Sequence, residues 1–386
     1  MNILFYDMGS YTYQDFLYYL QVAGHTCKTV YYHFPDKFED TFFCERFTEY
    51  LKKDIYDCVI SVNFFPLVAG LCYEHHIKYI SWCYDSPLEE RLQEYFHYET
   101  NYIFLFDRME VSQYRSMGYD RIYHLPLAVN TDRIDKLIFH SRQMITRFQG
   151  DISFVGQLYH SPLEALLYAA NDTIKGYIEG ILQAQLRVYG YYFIDELISD
   201  ELLEEINSSF RSLGQSVVSL NRRGLSYAIA TEITHLERSF LLEQLAELSD
   251  VHFYTTGSYS LNSKVKLCGP AKYHDEMPCI FRHSKLNLNP TLKCIQSGIP
   301  LRALDIMASG GVLLSNYQLE LTEYFEDETD VIMYSSMEDA IAKADFYLRH
   351  DSLREKIAVS GHKKVVSAFS YPERINRIFE IAALSS

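Results

Sequence analysis

The chain has 386 residues, of which 48% are hydrophobic, enough apolar material for two cored domains. Its formal net charge of −16, without any Lys/Arg-rich block, excludes nucleic acid and anionic membrane as main partners. No apolar run reaches membrane-spanning length, the eight cysteines form no CxxC pair or zinc-like Cys/His spacing, and the opening MNILFYDMGS lacks a basic region and a cleavage pattern, so a cytoplasmic chain with no signal peptide and no metal site is expected.

Asn2–Tyr6 reads as a strand, Asp7-Met8-Gly9-Ser10 as a polar turn, and Thr12 as a helix cap with Asp15 three residues on. Further strand patterns fall at His25–Tyr32, Cys58–Val62, Lys78–Tyr84, Tyr102–Phe106 and Arg121–Leu125. Helical patterns such as Pro87–Tyr98 and Arg108–Met117 alternate with them, which is doubly wound α/β order. Asn130–Arg147 lacks strand patterning and reads as a linker. A second α/β set begins at Asp151, followed by a mostly helical stretch, Asn171–Ser249, predicted to be an insertion with a structural role. Strands resume at Val251–Thr255 and Val265–Cys268 and continue to Val331–Tyr334. Helices over Met337–Arg349, Ser352–Ala368 and Pro372–Ala383 complete the pattern.

Ser284–Asn316 concentrates the signals for a ligand. Leu286–Leu288 suits a buried strand; a loop with Pro290, Gly298 and Pro300 follows; Arg302–Ser309 reads as a helix stopped by Gly310 and Gly311; Val312–Leu314 is the next strand. The open amides at such a helix start, beside Ser297, Gly298 and Ile299, favour an anion. Asp305 lies about 7–8 Å further along the helix and shares a face with Arg302. A phosphate at the helix start then places a ribose near Asp305, which is nucleotide chemistry. The same spacing also suits an ordinary Arg302–Asp305 ion pair. Asn289, Thr291 and Lys293 sit in the loop feeding the helix, where Thr291 could bond a phosphate and Lys293 offset its charge.

Three acids, Asp7, Asp85 and Asp107, end strands of the N-terminal half, where ligands of open α/β sheets bind and where helix caps also occur. Ser86-Pro87-Leu88-Glu89 reads as a capping box, which leaves Asp85 unneeded as a cap and available as a base. Gly9 and Gly156 each follow a strand, as backbone approached by a ligand or as plain turns. Tyr273 suits either base stacking or core packing, His75-His76 a surface pair, and Glu326–Asp330 a solvated turn.

GIPLRALDIMASGGVLLSN (298–316) resembles the donor-site segment of GT-B glycosyltransferases, most closely the spore-maturation-protein, CgeB-like group. YISWCYDSPL (79–88), YIFLFDRMEVSQY (102–114) and HLPLAVN (124–130) resemble the domain that precedes the catalytic domain in that group, and ISFVGQLY (152–159) the first strand and glycine loop of a GT-B donor domain. The resemblance implies two Rossmann-like doubly wound domains facing a cleft: an acceptor-side domain over 1–148, completed by a crossover helix over 371–386, and a donor domain over 149–370 with a helical insertion at about 171–249. It implies transfer of a sugar from a nucleotide-sugar, a UDP-sugar by resemblance, to a protein or glycan acceptor. Asp305 would hold the ribose, while Arg302 and the Ser297–Ile299 amides would hold the diphosphate without an obligatory metal. Many retaining members carry Glu where this chain has Ser297. A non-catalytic nucleotide-sugar-binding assembly protein and a nucleotide-sugar epimerase are alternatives on the same fold.

Overall fold

A computed structural model describes residues 1–137, 139, 141–212 and 220–384. Parts of the expected linker (138, 140), insertion (213–219) and last helix (385–386) lie outside the described residues. The chain divides into two compact units, one of 1–133, 298–304 and 365–386, the other of 134–297 and 305–364. The sequence had suggested divisions after 148 and 370; the last turn of helix Asp351–Ala368 and the segment 298–304 group with the first unit.

The first unit is built on β1 (Asn2–Asp7), β2 (Thr26–Tyr31), β3 (Cys58–Val62), β4 (Lys78–Cys83), β5 (Asn101–Leu105) and β6 (Ile122–His124). All six are parallel, in the order β2-β1-β3-β4-β5-β6. The middle strands are near-continuous apolar runs because helices cover both faces of the sheet. The abundant aromatics pack one side: Tyr6, Phe34, Phe43, Phe47 and Phe65 form one cluster, with ring centroids 4.5 Å apart for Phe34–Phe43 and 4.9 Å for Tyr6–Phe65. The order reverses at β1, so β1 and β3 flank the switch point where such sheets hold ligands.

The second unit contains β7 (Gly150–Val155), β8 (Val251–Tyr254), β9 (Lys266–Leu267), β10 (Ser284–Asn289), β11 (Leu313–Asn316) and β12 (Ile332–Tyr334). They too are all parallel, ordered β12-β11-β10-β7-β8-β9, with the switch point between β7 and β10. The described residues of the predicted insertion are mostly helical, with Asp172–Gln185, Ile194–Leu197, Asp200–Ser212 and Arg222–Leu248, and Leu163–Leu166 precedes it. Its apolar side chains form a core of their own around Ile178, Ile206, Leu225 and Ile229.

The last helix, Tyr371–Ile381, packs within the first unit. Tyr371 stacks on Tyr19 at 5.2 Å, Arg374 Nε donates to Pro126 O at 3.0 Å, and Lys78 Nζ donates to Ala382 O at 2.7 Å.

Several local expectations are corrected. The 130–147 stretch, read as a linker without strands, carries short helices at Thr131–Asp135 and Arg142–Phe148. Thr12 precedes helix Tyr13–Val22 without a side-chain cap bond, and the Asp15 carboxylate that a capping box would turn back to it is bound elsewhere: Arg133 Nε and Nη2 donate to it at 3.1 Å and Asn130 Nδ2 at 2.8 Å. Nor is Ser86 a cap. The helical turn there is a 3-10 segment that begins only at Glu90, and the Ser86 hydroxyl donates to Glu110 Oε2 at 2.7 Å. Glu110 Oε1 also accepts from Leu88 N at 2.7 Å, so a residue from the following helix does the work assigned to the capping box.

Candidate active site

Helix Leu301–Ala308 ends in Gly310, whose φ of +71° and amide bond to Met307 O, together with that from Gly311 N to Ile306 O, close it in the manner glycine favours. At its other end the expected anion loop is tightly fastened. Ser297 Oγ donates to Glu320 Oε1 at 2.7 Å, and Glu320 N donates back to Ser297 O at 3.0 Å. Gln318 Nε2 donates to Ile295 O at 3.1 Å, and Asn316 Oδ1 accepts from Thr291 N at 2.7 Å. Asn289 Nδ2 donates to Ser315 Oγ at 3.0 Å. Residues 289–297 are therefore sewn to the segment that leaves β11. Asn289, Thr291 and Ser297 are all buried and spend these groups on the protein.

Asp305 is only 6% exposed, and the Tyr273 hydroxyl donates to its Oδ1 at 3.1 Å. This gives Tyr273 a definite polar role in place of random packing. Arg302 is half-buried on the preceding turn of the same helix, and Ile299 is buried. Gly298 belongs to the first unit, where a Cβ on it would lie 2.7 Å from Phe106 Cδ2 and 2.9 Å from Asp107 Cα, so only glycine fits.

Lys293 does not offer its charge to a phosphate. Its ammonium is buried 2.9 Å from Glu237 Oε2 and 3.8 Å from the centre of the Tyr189 ring. Glu237 Oε1 accepts from Tyr189 at 2.8 Å and from Tyr334 at 3.1 Å. The next residue, Arg238, spans the switch point. Its Nε donates to Pro290 O at 3.0 Å, its Nη1 to Gln157 O at 2.5 Å, and its guanidinium lies over the Phe154 and Tyr159 rings. Both residues come from helix Arg222–Leu248 of the insertion, to which the sequence assigned no chemistry. Gly156 extends the pairing of β7 with β8: its amide donates to Tyr254 O at 3.0 Å, and a Cβ there would sit 3.1 Å from the Phe154 ring.

In the first unit, Asp7 and Asp107 have structural work. Asp7 Oδ1 accepts from Gly9 N at 3.0 Å and Ser10 N at 3.1 Å, bracing the loop after β1. Asp107, fully buried, caps helix Arg108–Ser116 by accepting from Met109 N at 2.9 Å and Glu110 N at 3.4 Å. Asp85 is the exposed acid of the three. Its Oδ2 accepts from Asn63 Nδ2 at 2.6 Å. Although the residue is exposed, crowding around the carboxyl raises its pKa above the usual aspartate value, opposed by the Asn63 bond and by the Lys37 charge. No helix begins at Ser86, so no helix start stands beside Asp85 to favour its ionised form.

Among the described residues no group of three or more His, Cys, Asp and Glu side chains is placed to hold a metal ion, and no helix is long and apolar enough to cross a membrane.

Residues 237–380 match a family model described as glycosyl transferase-like. The match starts at Glu237 and contains Arg238, the fastened loop and Asp305. In fold the chain is similar to a glycosyltransferase from Rickettsia africae ESF-5, with a TM-score of 0.55, 12% identity, and 100% of this chain and 99% of that one covered. It is similar to sucrose-phosphate synthase from Thermosynechococcus elongatus, with a TM-score of 0.57, 11% identity and 99% and 98% coverage. A third structure, Anabaena HepE in complex with UDP and glucose, aligns with a TM-score of 0.50, 11% identity and 99% coverage of both chains. No curated protein matches in sequence. The two doubly wound parallel sheets are those of the GT-B fold.

Proposed function

We propose that this chain is a nucleotide-sugar-dependent glycosyltransferase of the CgeB-like group, active in the cytoplasm, which moves a sugar from a UDP-sugar to a protein or glycan acceptor. The observation that carries the proposal is Asp305, a buried carboxylate oriented by Tyr273 on the helix that follows the fastened loop, within the glycosyl transferase-like match. Such a carboxylate suits the two hydroxyls of a ribose. UDP as the nucleotide is supported by the Anabaena neighbour solved with UDP and glucose.

In this assignment Arg302 and the amides of Ser297, Gly298 and Ile299 carry the diphosphate, and the helix dipole adds to their field without an obligatory metal. The acceptor hydroxyl oxygen attacks the anomeric carbon, the bond from that carbon to the diphosphate oxygen breaks, and Asp85 takes the hydroxyl proton. Asn289, Thr291, Lys293 and Gly156 shape the donor site from behind, and Asp7 and Asp107 brace the acceptor-side loops.

Incubation with a panel of UDP-sugars and candidate acceptors tests the proposal. Release of UDP with modification of an acceptor is the expected result. A changed sugar without acceptor modification means an epimerase, and tight binding without turnover means a binding module; either outcome rejects it.

A further inference from the structure

We propose that Asn63 is a positioning residue for Asp85, fixing the direction in which the acceptor-side carboxylate faces; the inference rests on the glycosyltransferase reading above. Asn63 follows β3 immediately, on the flank of the switch point of the first sheet. Its φ is +67°, in the left-handed region that non-glycine residues seldom occupy and that collects at functional sites. Asparagine is among the few non-glycine residues that enter it readily, but a plain turn would leave the amide unused. An asparagine there is explained by what its amide does.

Its three side-chain bonds all go to one short segment. Oδ1 accepts from Tyr84 N at 2.8 Å and Asp85 N at 3.2 Å, while Nδ2 donates to Asp85 Oδ2 at 2.6 Å. The accepted pair fixes the backbone after β4, and the donated bond fixes the carboxylate itself. The side chain thus grips both ends of Asp85, and its backbone strain puts the amide where it can do so. The other charged groups about this segment are Lys37, whose ammonium is paired with Glu89, and Glu110, which holds Ser86 and Leu88. Lys37 and Asn63 both favour the ionised carboxylate, against the crowding that disfavours it. A general base must present a directed, ionised oxygen to the acceptor hydroxyl, and Asn63 supplies the direction.

Asn63→Asp separates the two halves of the grip. It keeps an oxygen for the Tyr84 and Asp85 amides and replaces the donated bond by a second negative charge. Asn63→Gly keeps the left-handed backbone and removes the amide altogether. The test follows Asp85 by carboxyl-carbon NMR in full-length protein labelled at aspartate, with Asp85→Asn to assign the signal. In Asn63→Asp its titration is expected to move up by about 1–3 pH units, the size of shift that a neighbouring charge produces, here upward because the charges are alike. In Asn63→Gly it moves up by less. The acid limb of kcat/KM moves with it, and UDP affinity stays within about twofold of the parent. An Asp85 titration unmoved in both folded variants overturns the proposal. A titration that moves while the activity profile stays still upholds the hold of Asn63 on Asp85, and removes Asp85 from the reaction instead.

Discussion

Lys293 and Glu237 meet as an ion pair 2.9 Å apart, with both side chains almost wholly removed from water. Their sequence contexts gave each a different expectation: a phosphate ligand in a glycine-bounded loop, and a mid-helix residue in a structural insertion. Joined, they neutralise each other and tie the insertion to the loop after β10.

Removing one partner leaves the other charged and buried. Lys293→Ala is expected to cost about 3–5 kcal/mol of stability, the range for breaking a buried pair. UDP affinity of the folded fraction should change little. In a double-mutant cycle with Glu237→Gln, part of the loss should return as a coupling of about 0.5–3 kcal/mol. Urea unfolding measures both. A Lys293→Ala protein of parental stability with much weakened UDP binding restores the phosphate role.

Asp305→Ala should weaken UDP binding by about 1.5–3 kcal/mol, as expected for hydrogen bonds to a charged group. Tyr273→Phe removes only the hydroxyl that orients Asp305, and should cost about 0.5–1.5 kcal/mol. Calorimetric titration ranks the two. Equal affinity in a folded Asp305→Ala protein sinks the ribose assignment.

On the proposed donor site, where Arg302 and a helix start would supply the positive charge for the leaving diphosphate, turnover should survive EDTA. Activity abolished by chelation and restored by Mg²⁺ or Mn²⁺ counts against that picture.

Asp85→Asn keeps the shape and removes the base. Turnover should fall by about a hundredfold or more, the lower end for loss of a general base, with UDP affinity within about twofold. The raised carboxyl of Asp85 gives the sign of the pH effect. A base works only when ionised, so activity is lost as pH falls through a value above that of an ordinary aspartate. Asp107→Ala serves as the contrast. Loss of its cap should cost about 0.5–2 kcal/mol of stability with turnover per folded molecule preserved. Near-normal turnover in Asp85→Asn would falsify the base role.

The alternation of apolar runs and helical patterns made both sheets legible, because parallel strands covered on two faces carry little polar interruption. Gly310 could be read as a helix stop since its chemistry is local. What escaped depends on partners far along the chain. Ser86-Pro87-Leu88-Glu89 has the composition of a cap, yet Glu110 outcompetes it from the next helix. Asp7, Asp85 and Asp107 look alike after their strands, and only three-dimensional partners distinguish a loop brace, an exposed acid and a buried cap. Asn63 left no signal beyond an asparagine after a strand. Glu237-Arg238 left only a faint one: adjacent opposite charges in a helical stretch that also carries Glu232, Thr234 and His235, so nothing in the sequence marks this pair as the buried one.

Helix Arg222–Leu248 runs 27 residues, about 40 Å at the usual rise. Leu225 and Ile229 at one end lie in the insertion's own core, and Leu241, Leu242 and Leu245 at the other lie in the core beneath the second sheet. The insertion is therefore no detachable appendage. Excising it to obtain a minimal donor domain would take away a wall of the remaining core and both charges that lace the loops. Neither core can melt while this shared rod stays helical and packed at both ends, so the second unit should unfold in one step. A shortened variant has to rebuild the rod's distal half before it can be expected to fold at all.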